Sequence, residues 1–463
     1  MTTTKYDLLV VGGGPGGYIA AIRASQLGLR TALLEKEDLG GVCLNWGCIP
    51  TKSLLRNAEV LSLFKRAEEF GISVTGLTYD FGKAILRSRR VVKRLTTGIG
   101  SLLRNNKIDY ISGHASLLDS NTLEIESNST TTLISKNIIL ATGARPKAIP
   151  NLDIDGITII TSREALELKE VPSSITIIGG GATGAEFAYL YRTYGAEVTL
   201  VEIMPRLLPN EDEEISAELH RSFTKQGITT ILDARVINVN RTSYGVDLTV
   251  DSPNGKTTIT SQTVLVAAGL EGNTESIGLS NAEINMDGTF IQINEWMQTT
   301  NPNIYAVGDV TGKMPLAHVA AAQAILAVET IAGIESPLLE YNKLPRATYC
   351  SPQVTSFGYT ETQARNEGLD IAVGRFPLRA NGKALAMAES EGLVKIIADN
   401  NTGAILGAHL IGPEVTEILP EIIATQLLNG TTQELASLVH SHPSLSETIK
   451  EAAMAVFNRS IHI

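Results

Sequence analysis

Two stretches of this 463-residue chain share one layout of apolar strand, glycine turn, helix and second strand, and that repeat restricts the possible folds more than any other feature. In the first, Tyr6-Asp7-Leu8-Leu9-Val10-Val11 leads into Gly12-Gly13-Gly14-Pro15-Gly16-Gly17. An Ala-rich amphipathic run follows, and Thr31-Ala32-Leu33-Leu34-Glu35 closes the unit. In the second, Ile175-Thr176-Ile177-Ile178 leads into Gly179-Gly180-Gly181-Ala182-Thr183-Gly184, then a helix through Glu186 to Tyr194, then Val198-Thr199-Leu200-Val201-Glu202. In a dinucleotide-binding turn of this pattern the first glycine (Gly12, Gly179) permits a tight turn and the second (Gly14, Gly181) lets the backbone approach a pyrophosphate. The third (Gly17, Gly184) brings helix close to strand. Exposed N–H groups and the positive helix end then hold the phosphates. Glu35 and Glu202 each stand 23 positions after their first glycine, at 12 and 179, and would accept hydrogen bonds from a ribose 2′-hydroxyl; their charge disfavours a 2′-phosphate. One such motif is weak, because glycine turns also serve ordinary strand-to-helix connections. Two copies with matching acid spacing imply two nucleotide sites, the second preferring NAD(H) to NADP(H). Arg206 lies four residues after Glu202 and is better explained as a surface charge than as a phosphate ligand.

Shorter echoes follow each unit. Ala141-Thr142-Gly143-Ala144 and Val266-Ala267-Ala268-Gly269 each end an apolar strand at a glycine and look like the return strands of two similar domains. Asn303-Ile304-Tyr305-Ala306-Val307-Gly308-Asp309 is another short strand, after which Leu316 to Ile331 is Ala-rich and helical. From about Tyr341 the pattern changes to alternating strands, such as Gly392 to Ile397 and Ala404 to His409, with helices afterwards, as in a separate α+β domain. The expected fold class is α/β, with two Rossmann-like dinucleotide-binding domains, one from 1–148 and 272–342 and one from 149–271, and a C-terminal α+β interface domain at 343–463. The length suits about three domains. A formal net charge of −11 and a pI near 5.3 argue against nucleic acid or an anionic membrane as a main partner. The start shows no basic segment followed by an apolar stretch, and no run of about 18 apolar residues occurs. A soluble cytoplasmic protein is expected.

Cys43 and Cys48 lie in Gly40-Gly41-Val42-Cys43-Leu44-Asn45-Trp46-Gly47-Cys48-Ile49-Pro50-Thr51-Lys52, and the only other cysteine is Cys350. That scarcity excludes a secreted disulfide framework and points to a redox pair that trades electrons with a flavin. A thiolate is the attacking species, and its pKa falls near a helix N-terminus or a cation; a helix from about Lys52 to Phe64, and Lys52 itself, would supply both. Residues five apart on a regular helix point roughly 140° apart, whereas a disulfide needs Cβ atoms about 4 Å apart. The segment must therefore be distorted, and Gly47 and Pro50 suit that. Zinc is a competing reading, although no second close pair or adjacent histidine completes a tetrahedral set. Two inert buried thiols are another, but they leave the surrounding Gly, Asn, Pro and Lys unexplained. Cys350 itself reads as a buried structural thiol. Near the C-terminus, His440-Ser441-His442-Pro443-Ser444-Leu445-Ser446-Glu447 puts an imidazole, the side chain best matched to proton transfer near neutral pH, just before a helix. Glu447 could orient it. Ser444 and Glu447 also fit a capping box; taken alone, the cap explains the pattern better, and both roles hold only if the glutamate is shared.

These residues resemble the pyridine nucleotide-disulfide oxidoreductases over essentially the entire chain. Gly40 to Lys52 is close to the family redox signature, and His440 to Glu447 is similar to the C-terminal signature of its lipoamide branch. The resemblance implies FAD in the first domain with its flavin against Cys48, NAD on the second domain, and Cys43 as the outer, interchange sulfur. It implies His442 as base with Glu447 as its partner, and Lys52 and Glu186 as a pair near flavin N5. Ala115, Thr142, Gly143 and Asp309 match FAD contacts, and Leu316-Ala317-His318 matches a helix start facing the flavin pyrimidine, where a positive helix end favours a negative edge. Gly269 falls at the NAD pocket. The activity implied is oxidation of protein-bound dihydrolipoamide to lipoamide with reduction of NAD. The partners implied are a second copy, whose base faces the disulfide of its mate, and a lipoyl-bearing acyltransferase or glycine cleavage carrier protein. Gly269 is followed by Leu270-Glu271-Gly272-Asn273 where the family often has an arginine, Met314-Pro315-Leu316 inverts a usual order, and Trp46 replaces a smaller residue. Glutathione reductases would prefer NADPH, and mercuric reductases add a C-terminal cysteine pair that Val456 to Ile463 lacks. A scaffold without turnover is disfavoured by the retention of both cysteines, His442 and Glu447.

Overall fold

The computed structural model describes residues 4–127 and 130–463; Met1 to Thr3, part of the start that shows no leader pattern, lie outside them. The chain divides into two units, one of residues 1–53, 85–147 and 269–341, the other of residues 54–84, 148–268 and 342–463.

In the first unit the strand Thr4–Val11 runs inside a seven-stranded sheet. Its parallel neighbours are Thr31–Glu35 and Thr131–Leu140, so that Val10 faces Leu33 on one side and Ile139 on the other. Leu8, Leu9 and Val10 are fully buried. A parallel strand covered on both faces keeps no polar side, which is why this run is continuously apolar rather than alternating. Asp109–Ser112 extends the sheet beyond Thr31–Glu35, and Ile304–Ala306 pairs in parallel with the end of Thr131–Leu140. An antiparallel meander of His114–Leu117 and Thr122–Glu126 completes it. The helix Pro15–Gln26 packs on the helix Ala317–Ile331, and their buried faces are rich in alanine (Ala20, Ala21, Ala24, Ala324 and Ala327), which permits close approach.

In the second unit Ser174–Ile178 occupies the middle of a five-stranded parallel sheet, between Glu197–Val201 and Thr263–Val266. A three-stranded antiparallel sheet, Arg235–Thr242, Gly245–Ser252 and Gly255–Ser261, is inserted before the return strand. The same unit carries a five-stranded antiparallel sheet in the order Arg346–Thr348, Gln353–Gly358, Ile405–Gly412, Leu393–Asp399, Ile371–Pro377. The helix Glu447–Ala455 lies so near Ile371–Pro377 that a Cβ on Gly374 would come 2.0 Å from the Ala452 carbonyl oxygen. The fold is α/β with a C-terminal α+β part, as the sequence implies. Among the described residues no helix is long and apolar enough to cross a membrane.

A buried charge cluster in the second unit has no local sequence signal. Lys395 is 2% exposed, and its Nζ lies 2.8 Å from Asp212 Oδ1, 2.8 Å from Glu361 Oε2 and 3.3 Å from Glu214 Oε1. Asp212 also caps the helix Glu213–Lys225 by accepting the Glu214 N–H at 3.1 Å, and Arg375 bonds both oxygens of Glu214. Removing one member of a buried pair leaves the other desolvated and uncompensated. Lys395→Met should therefore destabilise the protein by about 3–5 kcal/mol, read as a lowered urea midpoint; a loss under about 1 kcal/mol would mean that Arg375 alone compensates the carboxylates.

Candidate active site

The two glycine turns are built alike, atom for atom. A Cβ on Gly12 would lie 2.2 Å from the Ala141 carbonyl oxygen, and one on Gly179 would lie 2.7 Å from that of Ala267. A Cβ on Gly17 or Gly184 would fall 1.7 or 1.8 Å from the carbonyl oxygen of Gly12 or Gly179. The first and third glycines are thus demanded by the protein's own backbone. The second ones are not: Gly14 has only Gly41 Cα, at 3.8 Å, near its absent Cβ, and Gly181 has nothing within 4 Å. Their φ angles of −69° and −74° suit any residue. Each caps its helix without a side-chain hydrogen bond, and neither helix has an acidic residue in its first turn. Unspent N–H groups beside an open space are what a pyrophosphate requires, so both turns fit a dinucleotide.

Glu35 and Glu202 have a further role that the spacing did not reveal. Glu35 Oε2 accepts the Gly13 N–H at 2.6 Å and Oε1 the Glu37 N–H at 2.7 Å. Glu202 Oε2 accepts the Gly180 N–H at 2.5 Å and Oε1 the Met204 N–H at 2.8 Å. Each carboxylate anchors its own glycine turn. Arg206 bonds Glu213 and the Pro209 carbonyl, each at 3.2 Å, in keeping with a surface charge.

This asymmetry between glycines has a measurable consequence. Gly181→Ala should leave the thermal midpoint nearly unchanged yet weaken NADH binding by roughly tenfold, about 1.4 kcal/mol, whereas Gly184→Ala forces backbone apart and should cost about 1–3 kcal/mol of stability or more. Thermal denaturation with NADH titration separates the two; equal destabilisation by both would contradict the assignment.

The cysteine segment starts against the first turn. The Gly40 N–H donates to the Gly13 carbonyl at 2.8 Å, and a Cβ on Gly41 would lie 2.7 Å from Gly14 Cα. Cys43 sits in the short helix Gly41–Asn45, and Cys48 opens the helix Cys48–Lys65. That helix begins earlier than the expected Lys52, because Pro50 falls in its first turn, where the missing N–H costs no intrahelical bond. Trp46 (φ −138°, ψ 15°) and Gly47 form the break between the helices, the distortion the cysteine spacing demands. Asn45 Nδ2 donates to the carbonyls of Leu39 and Gly41, at 3.1 and 3.0 Å, and Thr51 Oγ1 to that of Gly47 at 2.7 Å. The two sulfurs come near disulfide distance and share a hydrogen bond. Contrary to the expected lowering, the Cys43 thiol is pushed well up, first by its hydrogen bond to Cys48 and then by burial; Lys52 pulls the other way and Asp309 adds to the rise. A sulfur that donates to its neighbour keeps its proton. Cys350 is buried, with its Sγ 3.2 Å from the Pro352 carbonyl.

Around this segment, Asp309 lies in the turn Gly308–Thr311, and burial pushes its carboxyl up to about 6. Thr142 Oγ1 donates to the Asn273 carbonyl at 2.8 Å, and the Gly143 carbonyl accepts the Asn273 N–H at 2.9 Å. Ala115 is buried in the meander, paired with Ile125. Leu316 is the N-cap of the helix that starts at Ala317 and carries His318 in its first turn; no cap side chain bonds that end. Gly269 has a φ of +70°. In the second unit Glu186 is buried and its Oε1 accepts the Tyr349 N–H at 2.9 Å.

The two histidines near the C-terminus have different surroundings. His440 is 9% exposed at its side chain, with Nε2 2.7 Å from Glu421 Oε1. His442 is 80% exposed, with Nδ1 2.9 Å from Glu447 Oε1. Glu447 Oε2 also accepts the Ser444 N–H at 2.8 Å. The full capping box does not form, since Ser446 is the N-cap of Glu447–Ala455 and the Ser444 hydroxyl makes no cap bond. The glutamate is shared between the imidazole and the backbone. Burial opposes its ionisation, but His442 and then the Ser444 N–H outweigh it and hold the carboxyl below the usual range. A carboxylate at Nδ1 fixes that nitrogen as the donor and leaves Nε2 as the nitrogen with a lone pair.

Residues 6–324 match the pyridine nucleotide-disulphide oxidoreductase family, and residues 344–453 match its dimerisation domain. The chain belongs to the pyridine nucleotide-disulphide oxidoreductase family. Within this family of flavoprotein disulfide oxidoreductases, it is 42% identical to dihydrolipoyl dehydrogenase of Bacillus subtilis, over 99% of each chain. It is 44% identical to dihydrolipoyl dehydrogenase of Mycobacterium tuberculosis, over 97% of each chain. Among solved structures, LpdA of Mycobacterium tuberculosis superposes with a TM-score of 0.90 at 27% identity, covering 97% of this chain and 99% of that one. The HOCl-induced flavoprotein disulfide reductase RclA of Escherichia coli gives 0.85 at 28% identity, with the same coverage. Two site features of this family member escape sequence reasoning. Asn45 betrays itself only by lying between the cysteines, and Glu421, which sets His440 apart from His442, is 19 residues away with no local pattern to mark it.

Proposed function

We propose that this chain oxidises dihydrolipoamide, borne on an acyltransferase or glycine cleavage carrier protein, to lipoamide, and reduces NAD to NADH, as a cytoplasmic homodimer with FAD in the first nucleotide domain (1–148 and 272–342), NAD in the second (149–271) and the interface domain at 343–463. The observation that carries this reading is the cysteine pair, brought to hydrogen-bond contact by a break between two helices and packed against the first glycine turn.

FAD would be held at the turn of Gly12, Gly14 and Gly17, by the backbone N–H groups of Gly14 and of the helix start at Gly16 and Gly17, by Glu35, and by Lys52, Ala115, Thr142, Gly143, Asp309 and the helix start at Leu316, Ala317 and His318. NAD would be held at Gly179, Gly181 and Gly184, by Glu202, and near Gly269. When bound, FAD would supply a two-electron acceptor for the reduced cysteine pair, and NAD would supply the final hydride acceptor. Lys52 and Glu186 would act as a pair beside the flavin. In the chain's own steps, Nε2 of the partner's His442 takes a proton from one substrate thiol. The resulting thiolate attacks Cys43 Sγ, the Cys43–Cys48 bond breaks, and Cys48 leaves as thiolate. The second substrate thiol gives up its own proton to solvent and attacks the substrate sulfur of the mixed disulfide, Cys43 leaves as thiolate, and His442 returns the first proton to Cys43. Lipoamide departs with its own disulfide, and the two cysteines hold the electron pair. Glu447 keeps the imidazole in the right tautomer and supports its charge.

The test is a steady-state comparison of NAD with NADP and of dihydrolipoamide with glutathione. Turnover confined to NAD and dihydrolipoamide is expected; NADPH-dependent reduction of glutathione disulfide would overturn the reading.

A further inference from the structure

The helix Phe81–Asn105 has the most one-sided charge of any element in the chain. Its 25 residues include Lys83, Arg87, Arg89, Arg90, Lys93, Arg94 and Arg104 and no aspartate or glutamate, although the whole chain carries a formal net charge of −11. At about 100° per residue, Arg87, Arg90 and Arg94 fall within an arc of roughly 60°, with Lys93 beside them. All four are exposed. Among the described residues no carboxylate pairs with any of them. Such a face repels itself, and nothing in the fold of its own unit explains it.

Its position supplies an explanation. Arg89 Nη1 donates to the Asn45 carbonyl at 2.8 Å, and Arg87 Nη1 to the Ser53 hydroxyl at 2.9 Å. These two contacts bracket Cys48, so the helix lies along the cysteine segment, with Ile85, Ser88 and Val92 on its buried side and Arg87, Arg90, Lys93 and Arg94 on its solvent face. Free dihydrolipoamide is neutral and gains nothing from it. We propose that the Arg87, Arg90, Lys93 and Arg94 face steers an acidic carrier protein, the one that bears the dithiol arm, onto the cysteine pair. The inference rests on the reaction proposed above and adds the chemistry of the partner surface. A cluster of one sign raises the encounter rate with an opposite charge by roughly 10- to 10³-fold, and the gain falls with ionic strength.

The test uses dihydrolipoyl-lysine peptides of one length, flanked either by glutamates or by glutamines, together with free dihydrolipoamide. The wild-type protein should show a kcat/KM roughly tenfold or more higher for the acidic peptide at low salt, and that ratio should approach one at about 0.5 M salt, where screening is nearly complete. The triple variant Arg90→Gln, Lys93→Gln, Arg94→Gln should lose the ratio and keep its turnover of free dihydrolipoamide, while Arg90→Lys with Arg94→Lys should retain it. A wild-type protein that oxidises free dihydrolipoamide but ignores peptide charge overturns the inference alone. So does a triple variant that keeps the ratio, or one that loses free dihydrolipoamide turnover or its dimeric state in parallel, since the helix would then serve the site's own structure. A wild-type protein inert towards free dihydrolipoamide fails at the reaction itself and removes both.

Discussion

Cys43→Ser should reduce dihydrolipoamide oxidation by about 10³-fold or more, the scale lost when a nucleophile is removed, while NADH oxidation by an artificial acceptor continues. The physical reason is that a hydroxyl can form neither a disulfide nor a mixed disulfide, so exchange with the substrate stops at its first step. The fold should tolerate the change. Cys43 is half-buried in a short helix whose shape is fixed by Asn45 and by Gly40 and Gly41, and serine differs from it by one atom. Steady-state rates with each substrate pair, beside an unchanged thermal midpoint, check this. Retention of a tenth of the dihydrolipoamide rate would remove Cys43 from the exchange.

His442→Gln should lower the same rate by roughly 10²- to 10⁴-fold, the usual worth of a positioned general base, and again spare NADH oxidation by an artificial acceptor. Glutamine can still donate to Glu447, so the Ser444 to Glu447 turn should persist, but it offers no titratable nitrogen. The equivalent change at His440 is the control. That ring is nearly buried and engaged with Glu421 at 2.7 Å, whereas His442 is 80% exposed. Loss of both activities in His442→Gln would point to a damaged interface rather than to a missing base.

The parts of this molecule that the sequence made legible are those where backbone sterics dictate a residue type. Gly12, Gly17, Gly179 and Gly184 cannot carry a Cβ, so their spacing shows through any change of neighbours, and the continuous apolar strands between them follow from burial on both faces. The Ala-rich run from Leu316 became the helix Ala317–Ile331 within one residue, because small side chains both favour helix and permit close packing. The parts that stayed hidden depend on residues far apart in the chain. Lys395 looks like one polar position in an apolar strand until Asp212 and Glu361 are beside it. The second role of Glu35 and Glu202 needs the fold that returns each carboxylate to its own turn. The antiparallel insert Arg235–Ser261 has a mostly exposed first strand, so burial imposed little pattern on it. The rise in the Cys43 pKa follows from its partner at 48 holding the shared hydrogen bond, an effect that a nearby cation and a helix end could not by themselves predict.

Differential alkylation of the peptide that contains both cysteines reports on the proposed electron entry directly. The purified protein is treated with iodoacetamide under anaerobic conditions before and after one equivalent of dihydrolipoamide, without NAD, and the modified sulfurs are located by mass spectrometry. An electron-accepting disulfide requires that neither Cys43 nor Cys48 reacts at first and that Cys43 becomes modified once the substrate has been added. Two thiols that alkylate fully before any substrate, or a pair that stays inert after it, would show that these sulfurs do not take electrons from the dithiol.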